Sequence, residues 1–185
     1  MNKWFAGLVI CGLACGMAAC SDSDDDGNCL KEEPALVQES AKLEAAVKAD
    51  GVTFIKEADP NDATKQLDVA SDCEKYATNL SNYLAEGDNS ANMIEAVKSY
   101  PKFGGSLVGV LCGLIDTNKI IQAAAKVKLV WDVGQNCIVV HKDDLNAEAQ
   151  GKINTSLTTF QSVDGWNNVL SAAAQAAVEN DQNKQ

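Results

Sequence analysis

NDATKQLDVASDCEKYATNLSNYLAEG, residues 61–87, is the stretch with the clearest helical periodicity in the chain. Its apolar positions recur every three or four residues, at Leu67, Ala70, Cys73, Ala77, Leu80 and Leu84. This spacing puts them on one face of an α-helix. We therefore predict a helix that starts with Asn61 or Asp62 as its N-cap and ends near Glu86, before Gly87. Because the stripe mixes small residues with leucines, a second helix should pack closely against it.

Similar periodicity continues outward from this stretch. It predicts amphipathic helices at residues 34–50, 90–100, 118–133, 143–160 and 164–180. The core-facing residues should include Leu36, Leu43, Val47, Met93, Ile94, Val97, Ile120, Ile121, Leu145, Ile153, Leu157, Phe160, Trp166, Val169, Leu170, Ala173, Ala174, Ala177 and Val178. The short β-branched run at 52–55 shows no partner strand, so we expect a buried loop there. The predicted fold class is all-α, a single compact bundle of about five to six helices over residues 34–180, followed by a polar tail at 181–185.

Two segments leave alternatives open. Residues 103–115 are almost wholly apolar, with Gly105, Gly109 and Gly113 every four residues, a spacing that lets helix backbones approach closely. We interpret this segment as a core helix, because 13 residues are too few to span a bilayer; the alternative is membrane insertion or self-association. Residues 126–140 are predicted to continue the preceding helix, with a strand as the alternative.

The N-terminal residues carry an export signal. Lys3 supplies a positive charge, an apolar run extends over residues 5–19, and Met17-Ala18-Ala19-Cys20 closes it with small residues and a cysteine. This motif resembles the lipobox of bacterial lipoproteins. The resemblance implies a signal peptide at 1–19 and lipidation of Cys20, which anchors the chain to a membrane. A competing motif ends at Cys15.

An acidic run follows the proposed lipidation site. SDSDDDGN, residues 21–28, contains no large apolar residue, so residues 20–33 should form a solvated, flexible tether. The run resembles the export signals of surface lipoproteins in Bacteroidetes-type bacteria, although a plain hydrophilic spacer fits equally well. Ser21 directly after the cysteine favours the outer membrane, on either its periplasmic face or the cell surface.

The acidic run also fits a calcium-loop pattern. Asp22, Asp24, Asp26 and Glu33 occupy positions one, three, five and twelve, and Gly27 supplies the turn. No helix can precede this loop so close to Cys20, and Pro34 follows it directly. The calcium site is therefore a weak candidate, and we predict no resident cofactor.

Four cysteines remain after signal removal and lipidation: Cys29, Cys73, Cys112 and Cys137. An even number in an exported chain predicts two disulfides, but the sequence leaves all three pairings open. Zinc is disfavoured, because the sequence has no Cys-x-x-Cys pair and a single histidine.

The charge balance argues against nucleic acid as a partner. Removing residues 1–19 leaves 166 residues with 14 lysines, no arginine and 26 acidic residues, a formal net charge of −12. Such a chain lacks the basic surface that phosphate backbones require. Its acyl chains, rather than its charge, should hold it to the membrane.

Motifs for catalysis are missing. The sequence contains no zinc-helix, nucleophile-elbow or Walker pattern, and we expect His141 to pack or titrate rather than catalyse. Trp131 and Trp166 read as core anchors rather than sugar-stacking rings. The leading hypothesis is a non-catalytic envelope protein that binds a protein partner or holds structure. The second is a carrier of a small apolar ligand, in a cavity lined by Gly105, Gly109 and residues 123–125, and the third is a hydrolase with paired carboxylates.

Overall fold

The computed structural model describes residues 34–104 and 117–182. Its described residues form six α-helices and one β-hairpin. In chain order, these are α1 (Ala35–Val47), β1 (Phe54–Asp59), β2 (Asp62–Ala70), α2 (Cys73–Ala85), α3 (Asn89–Gly104), α4 (Thr117–Val140), α5 (Ala147–Gln161) and α6 (Trp166–Gln182). The predicted signal peptide, tether and calcium loop, and residues 105–115 of the apolar segment, lie outside the described residues.

The prediction of an all-α fold is correct for most of the described residues and wrong between residues 54 and 70. There, β1 and β2 pair antiparallel across the two-residue turn Pro60-Asn61, with Phe54 opposite Ala70 and Ile55 opposite Val69. The run at 52–55 therefore does have a partner strand, and the predicted helix over 61–86 is a strand followed by a helix. The predicted cap Asp62 accepts a hydrogen bond from Thr64 N in the hairpin, whereas Asp72 caps α2.

Helix α4 occupies the centre of the fold. It packs against α1, α6, α5 and both strands of the hairpin. It runs without interruption from Thr117 to Val140, so the helical prediction for residues 126–140 is confirmed. Gly134 lies within this helix at its contact with α5, where a Cβ would lie 3.1 Å from Leu157 Cδ2. The small residue allows α4 and α5 to cross closely instead of breaking the helix.

Most predicted core residues are buried, including Leu36, Met93, Ile153 and Phe160. Two boundaries differ from the prediction. Helix α3 continues through Pro101 to Gly104, and α5 uses Asn146 as its N-cap instead of Asp143 or Asp144.

The predicted face of α6 is partly wrong. Ala172, Ala173 and Ala176 are buried, whereas Ala174 and Ala177 are exposed and Val178 is 57% exposed. The helix enters the bundle at Gly165, whose backbone has φ +97° and approaches Val97 O of α3. The position at which α6 enters the bundle determines its neighbours, and these neighbours, rather than the hydrophobicity of α6, determine which of its alanines are buried.

Candidate functional site

A small cavity lies where the hairpin meets the ends of α2 and α4. We call it the hairpin cavity; its lining residues are Glu57, Ala70, Ser71, Asp72, Cys73, Glu74, His141, Asp144 and Leu145. Its volume is about 200 Å³. Four of these side chains are carboxylates, and one is the only histidine of the chain.

Backbone and side-chain hydrogen bonds hold the entrance to α2 beside this cavity. Ser71 N donates to Thr53 O at 2.8 Å, which ties the end of β2 to the residue before β1. Asp72 then accepts from Lys75 N at 3.0 Å as the N-cap of α2. These bonds to the carboxylate lower the pKa of Asp72, with the backbone N–H of Lys75 as the largest cause.

A disulfide fixes the first residue of α2 to the last turns of α4. Cys73 and Cys137 are bonded, with their Cα atoms 5.8 Å apart. Cys73 is 8% exposed and Cys137 is fully buried, so the bond lies at the inner wall of the hairpin cavity. Of the predicted disulfide cysteines, the structure brings these two together. Cys20, Cys29 and Cys112 lie outside the described residues.

His141 links the hairpin to the end of α4. Its Nε2 lies 3.4 Å from Glu57 Oε1 on β1, and both side chains are about one-third exposed. When protonated, the imidazole forms an ion pair with this carboxylate. This contact attaches the hairpin to the end of α4.

Sequence reasoning missed a buried carboxylate between α1 and α2. Glu39 is only 6% exposed, and its carboxylate contacts Lys42 Nζ at 2.7 Å and the Tyr83 hydroxyl at 3.4 Å. Burial, with the neighbouring Glu39 charge, raises the pKa of Tyr83, so the phenol stays protonated and donates to Glu39. The position of Glu39 between Leu36 and Leu43, on the core face of α1, was the available signal.

Trp131 and Trp166 form an aromatic cluster in the interior. Their ring centroids are 5.8 Å apart, and Phe160 stacks on Trp166 at 6.3 Å. Trp166 is 5% exposed. Trp166 is therefore a core anchor, as predicted, whereas Trp131 is partly buried and packs against the core, with its buried Nε1 lacking a partner among the described residues.

The structure separates the residues proposed to line an apolar cavity. Ala123 and Ala124 are buried in the core, and Ala125 lines an open groove of about 510 Å³ between α4 and α6. Gly105 and Gly109 lie outside the described residues, as do the weak calcium candidates Asp22, Asp24, Asp26 and Glu33. Across the part of the chain that the structure describes, no three or more His, Cys, Asp or Glu side chains group to hold a metal ion.

None of the helices within residues 34–104 and 117–182 has the length and apolar character needed to cross a bilayer. No protein-family model, curated protein sequence or solved structure matches this chain.

Proposed function

We propose that the chain is a lipoprotein of a bacterial outer membrane, held by acyl chains on Cys20, whose folded part binds a partner instead of catalysing a reaction. The observation that carries this proposal is the sequence Met17-Ala18-Ala19-Cys20 at the end of an uncharged apolar run. The acidic residues that follow it are typical of a solvated spacer. The described fold starts at Pro34, 14 residues after Cys20. A fully extended linker of that length reaches at most about 50 Å.

The disulfide supports an oxidising compartment. Cys73 and Cys137 are bonded, and structural disulfides persist in exported proteins rather than in the cytosol. With this pair formed, the remaining mature cysteines that lipidation does not use are Cys29 and Cys112. We infer that they form the second disulfide.

Helices α1 and α4 lie side by side in the described part of the chain. Glu44 of α1 contacts Lys126 of α4 at 3.2 Å, and the early residues Val37 and Ser40 share a groove with Asn118 and Gln122. The two helices therefore run parallel, with matched positions about 82 residues apart in sequence.

Metabolic labelling with an alkyne analogue of palmitate tests the anchor. The intact chain should incorporate the label and partition into the detergent-rich phase of Triton X-114. The Cys20→Ser variant should lose both properties. The matched control is Cys15→Ser, which removes the competing motif and should leave labelling unchanged. Labelling that survives Cys20→Ser and disappears in Cys15→Ser would contradict the assignment.

Peptide mapping without reductant tests the second disulfide. The expected products are one cross-linked peptide containing Cys73 and Cys137 and another containing Cys29 and Cys112. Alkylation of Cys29 and Cys112 in the unreduced, full-length protein would show that the pair is open. A cross-link between Cys29 and either Cys73 or Cys137 would contradict this pairing.

An apolar-ligand carrier is the second candidate, and the α4–α6 groove favours it. Ala125, Leu129, Ala173 and Ala177 line this groove together with paired charges at its rim. Native mass spectrometry of the purified lipoprotein decides between the two functions. A co-purifying apolar molecule that leaves upon Ala177→Leu substitution supports a carrier, whereas a clean mass removes its basis.

A further inference from the structure

A second groove, between α2, α3 and α5, is lined by hydroxyl side chains from all three helices. We call it the hydroxyl groove; Ser81, Ser90, Thr155, Ser156 and Thr159 line it. Its volume is about 460 Å³. This lies within the range of about 300–1,000 Å³ that small-molecule sites occupy.

Ser156 is the unusual residue of this groove. It is only 4% exposed, yet no hydrogen bond joins its hydroxyl to another residue in the described part of the chain. The two other buried polar residues, Glu39 and Ser40, both have partners. Among the described residues, the one fully buried side-chain nitrogen or oxygen atom without a partner is Trp131 Nε1, so the Ser156 oxygen keeps solvent access through the groove that it lines. The Ser156 hydroxyl therefore offers both its donor and its acceptor to whatever occupies the groove.

Neighbouring hydroxyls behave differently outside the groove. Thr158 and Ser171 point elsewhere and donate to the carbonyl oxygens of Asn154 and Asn167, at 2.8 and 2.9 Å. Ser81, Ser90 and Thr155, like Ser156, make no such bond among residues 34–104 and 117–182. Helical serines and threonines commonly bond back to the preceding turn. In the hydroxyl groove, four of the five hydroxyl side chains make no such bond, so they can form hydrogen bonds with a ligand.

Gly151 widens the groove without a packing reason. It lies inside α5, where glycine is a poor helix former, and a Cβ built on it would meet nothing within 4 Å. The bundle therefore gains nothing from the missing side chain. The open space allows a ligand to approach the helix backbone closely.

The charge at the groove favours a neutral ligand. No carboxylate lines it, although the chain has 26 acidic residues. Lys152 lines it, but its Nζ is 2.7 Å from Glu148 Oε1, which offsets the positive charge. Leu84 and Ala85 add an apolar wall.

We propose that the hydroxyl groove binds a neutral sugar. A pyranose presents hydroxyl groups that both donate and accept, which matches the serine and threonine lining. Its C–H face matches Leu84 and Ala85. This site is independent of the acyl anchor and goes beyond the proposed function, because it names a ligand class for the folded part.

Saturation-transfer difference NMR on the full-length lipoprotein tests the site. The protein is kept in a zwitterionic detergent, because maltoside detergents would compete, and the probes are maltose, cellobiose and lactose. At least one disaccharide should receive saturation from the protein, with a Kd of about 1–10 mM. Ser156→Ala should weaken this binding about 3- to 10-fold while the protein stays folded, since the lost hydroxyl has no internal partner.

Two further variants make the test specific. Gly151→Leu fills the groove and should abolish saturation transfer, whereas Thr158→Ala removes a hydroxyl outside it and should change nothing. Circular dichroism confirms the fold, and Ser156→Ala alone decides the question if Gly151→Leu does not fold. The proposal is overturned if none of the three sugars binds, or if Ser156→Ala leaves binding unchanged. Ser156-dependent binding of inorganic phosphate in place of sugar would also overturn it. Loss of the Cys20 anchor would not affect these outcomes.

Discussion

The hairpin strand β2 and the helix α2 are consecutive, and one hydrophobic pattern extends across both. In β2, residues 63–66 are exposed and burial begins only near its end, at Val69 and Ala70. In α2, Tyr76, Ala77 and Leu80 are completely buried on one face. The comparison shows that spacing of three and four residues can arise by chance where a strand and a helix adjoin.

The difference comes from a partner that is distant along the chain. Residues 54–59 offer β2 an edge to pair with, and the Pro60-Asn61 turn brings that edge back. α4 then covers the hairpin, with Asn136 Nδ2 donating to Asp68 O at 2.8 Å. α2, in contrast, receives its cap from the adjacent Asp72 and needs no paired strand. We therefore expect changes in α2 to cost more stability than changes in the hairpin.

The largest effect should follow Tyr76→Ala in α2. The Tyr76 ring is fully buried, meets Phe54 edge-on at 6.3 Å, and its hydroxyl donates to Val130 O of α4. Its loss should lower the free energy of unfolding by about 3–5 kcal/mol. Urea denaturation measures this. The exposed Asn82→Ala change on the same helix is the control and should stay within about 0.5 kcal/mol. A Tyr76→Ala cost below that of Val69→Ala would reverse the comparison.

Removing the disulfide between α2 and α4 should have the next largest effect. The double variant Cys73→Ala/Cys137→Ala opens a link between residues 64 apart in sequence. It should cost about 2–4 kcal/mol, chiefly because the unfolded chain gains freedom. The denaturation midpoint of the double variant, against the unreduced parent, measures this cost. An unchanged midpoint would mean that packing alone holds α2 against α4.

Val69→Ala tests the hairpin itself. Val69 is fully buried opposite Ile55, so the change removes apolar contacts at the only well-covered part of β2. We expect a loss of about 2 kcal/mol, from roughly 0.8 kcal/mol per lost CH₂ group and the cavity that remains. The same change at the 40%-exposed Val139 is the control and should have little effect. Equal costs at Val69 and Val139 would show that the hairpin is not docked on α4.

Asp72→Ala tests the junction of the two regions and its pH dependence. Loss of this N-cap should cost about 0.5–2 kcal/mol at neutral pH. Because the pKa of Asp72 is held below its ordinary value of 3.8, the cap contributes stability above that pH. The contribution is lost as the pH falls through the lowered pKa, so the two proteins should converge in strong acid. Asp143→Ala, at a position that α5 does not use as its cap, should show no such difference. A gap between Asp72→Ala and the parent that persists in acid would contradict the capping role.

The smallest effect should follow Lys56→Ala on the exposed side of the hairpin. Lys56 Nζ lies 2.7 Å from Asp68 Oδ2 across the strands, but its side chain is 60% exposed. Solvent screening should limit the cost to about 0–1 kcal/mol, and added salt should remove it. Denaturation at low and high ionic strength measures this cost. A salt-independent loss above that range would indicate that Lys56 stabilises the hairpin more than an exposed ion pair should.

Sequence reasoning predicted the helices well where a buried face extended over a whole element. The faces of α1, α3, α4 and α5 were placed correctly at residues such as Leu43, Val97, Ile120 and Leu157. It failed where tertiary contacts determine which residues are buried. Val178, for example, belongs to an apolar pattern but lies exposed. Within the candidate site, the interpretation of His141 as a residue that packs or titrates rather than catalyses stays a prediction. Its partner Glu57 lies on a strand that the sequence did not reveal.

The sequence alone determined the helical character of most of the described residues and the presence of four cysteines after Cys20, enough for two disulfides. Both follow from local spacing and composition. Only the tertiary structure decided that residues 62–70 form a strand, that Cys73 bonds with Cys137, and that Ser156 lines the hydroxyl groove without a hydrogen-bond partner among the described residues. Each of these depends on contacts between residues far apart in sequence. Such contacts form only when α4 and its neighbours are packed, so no local pattern encodes them.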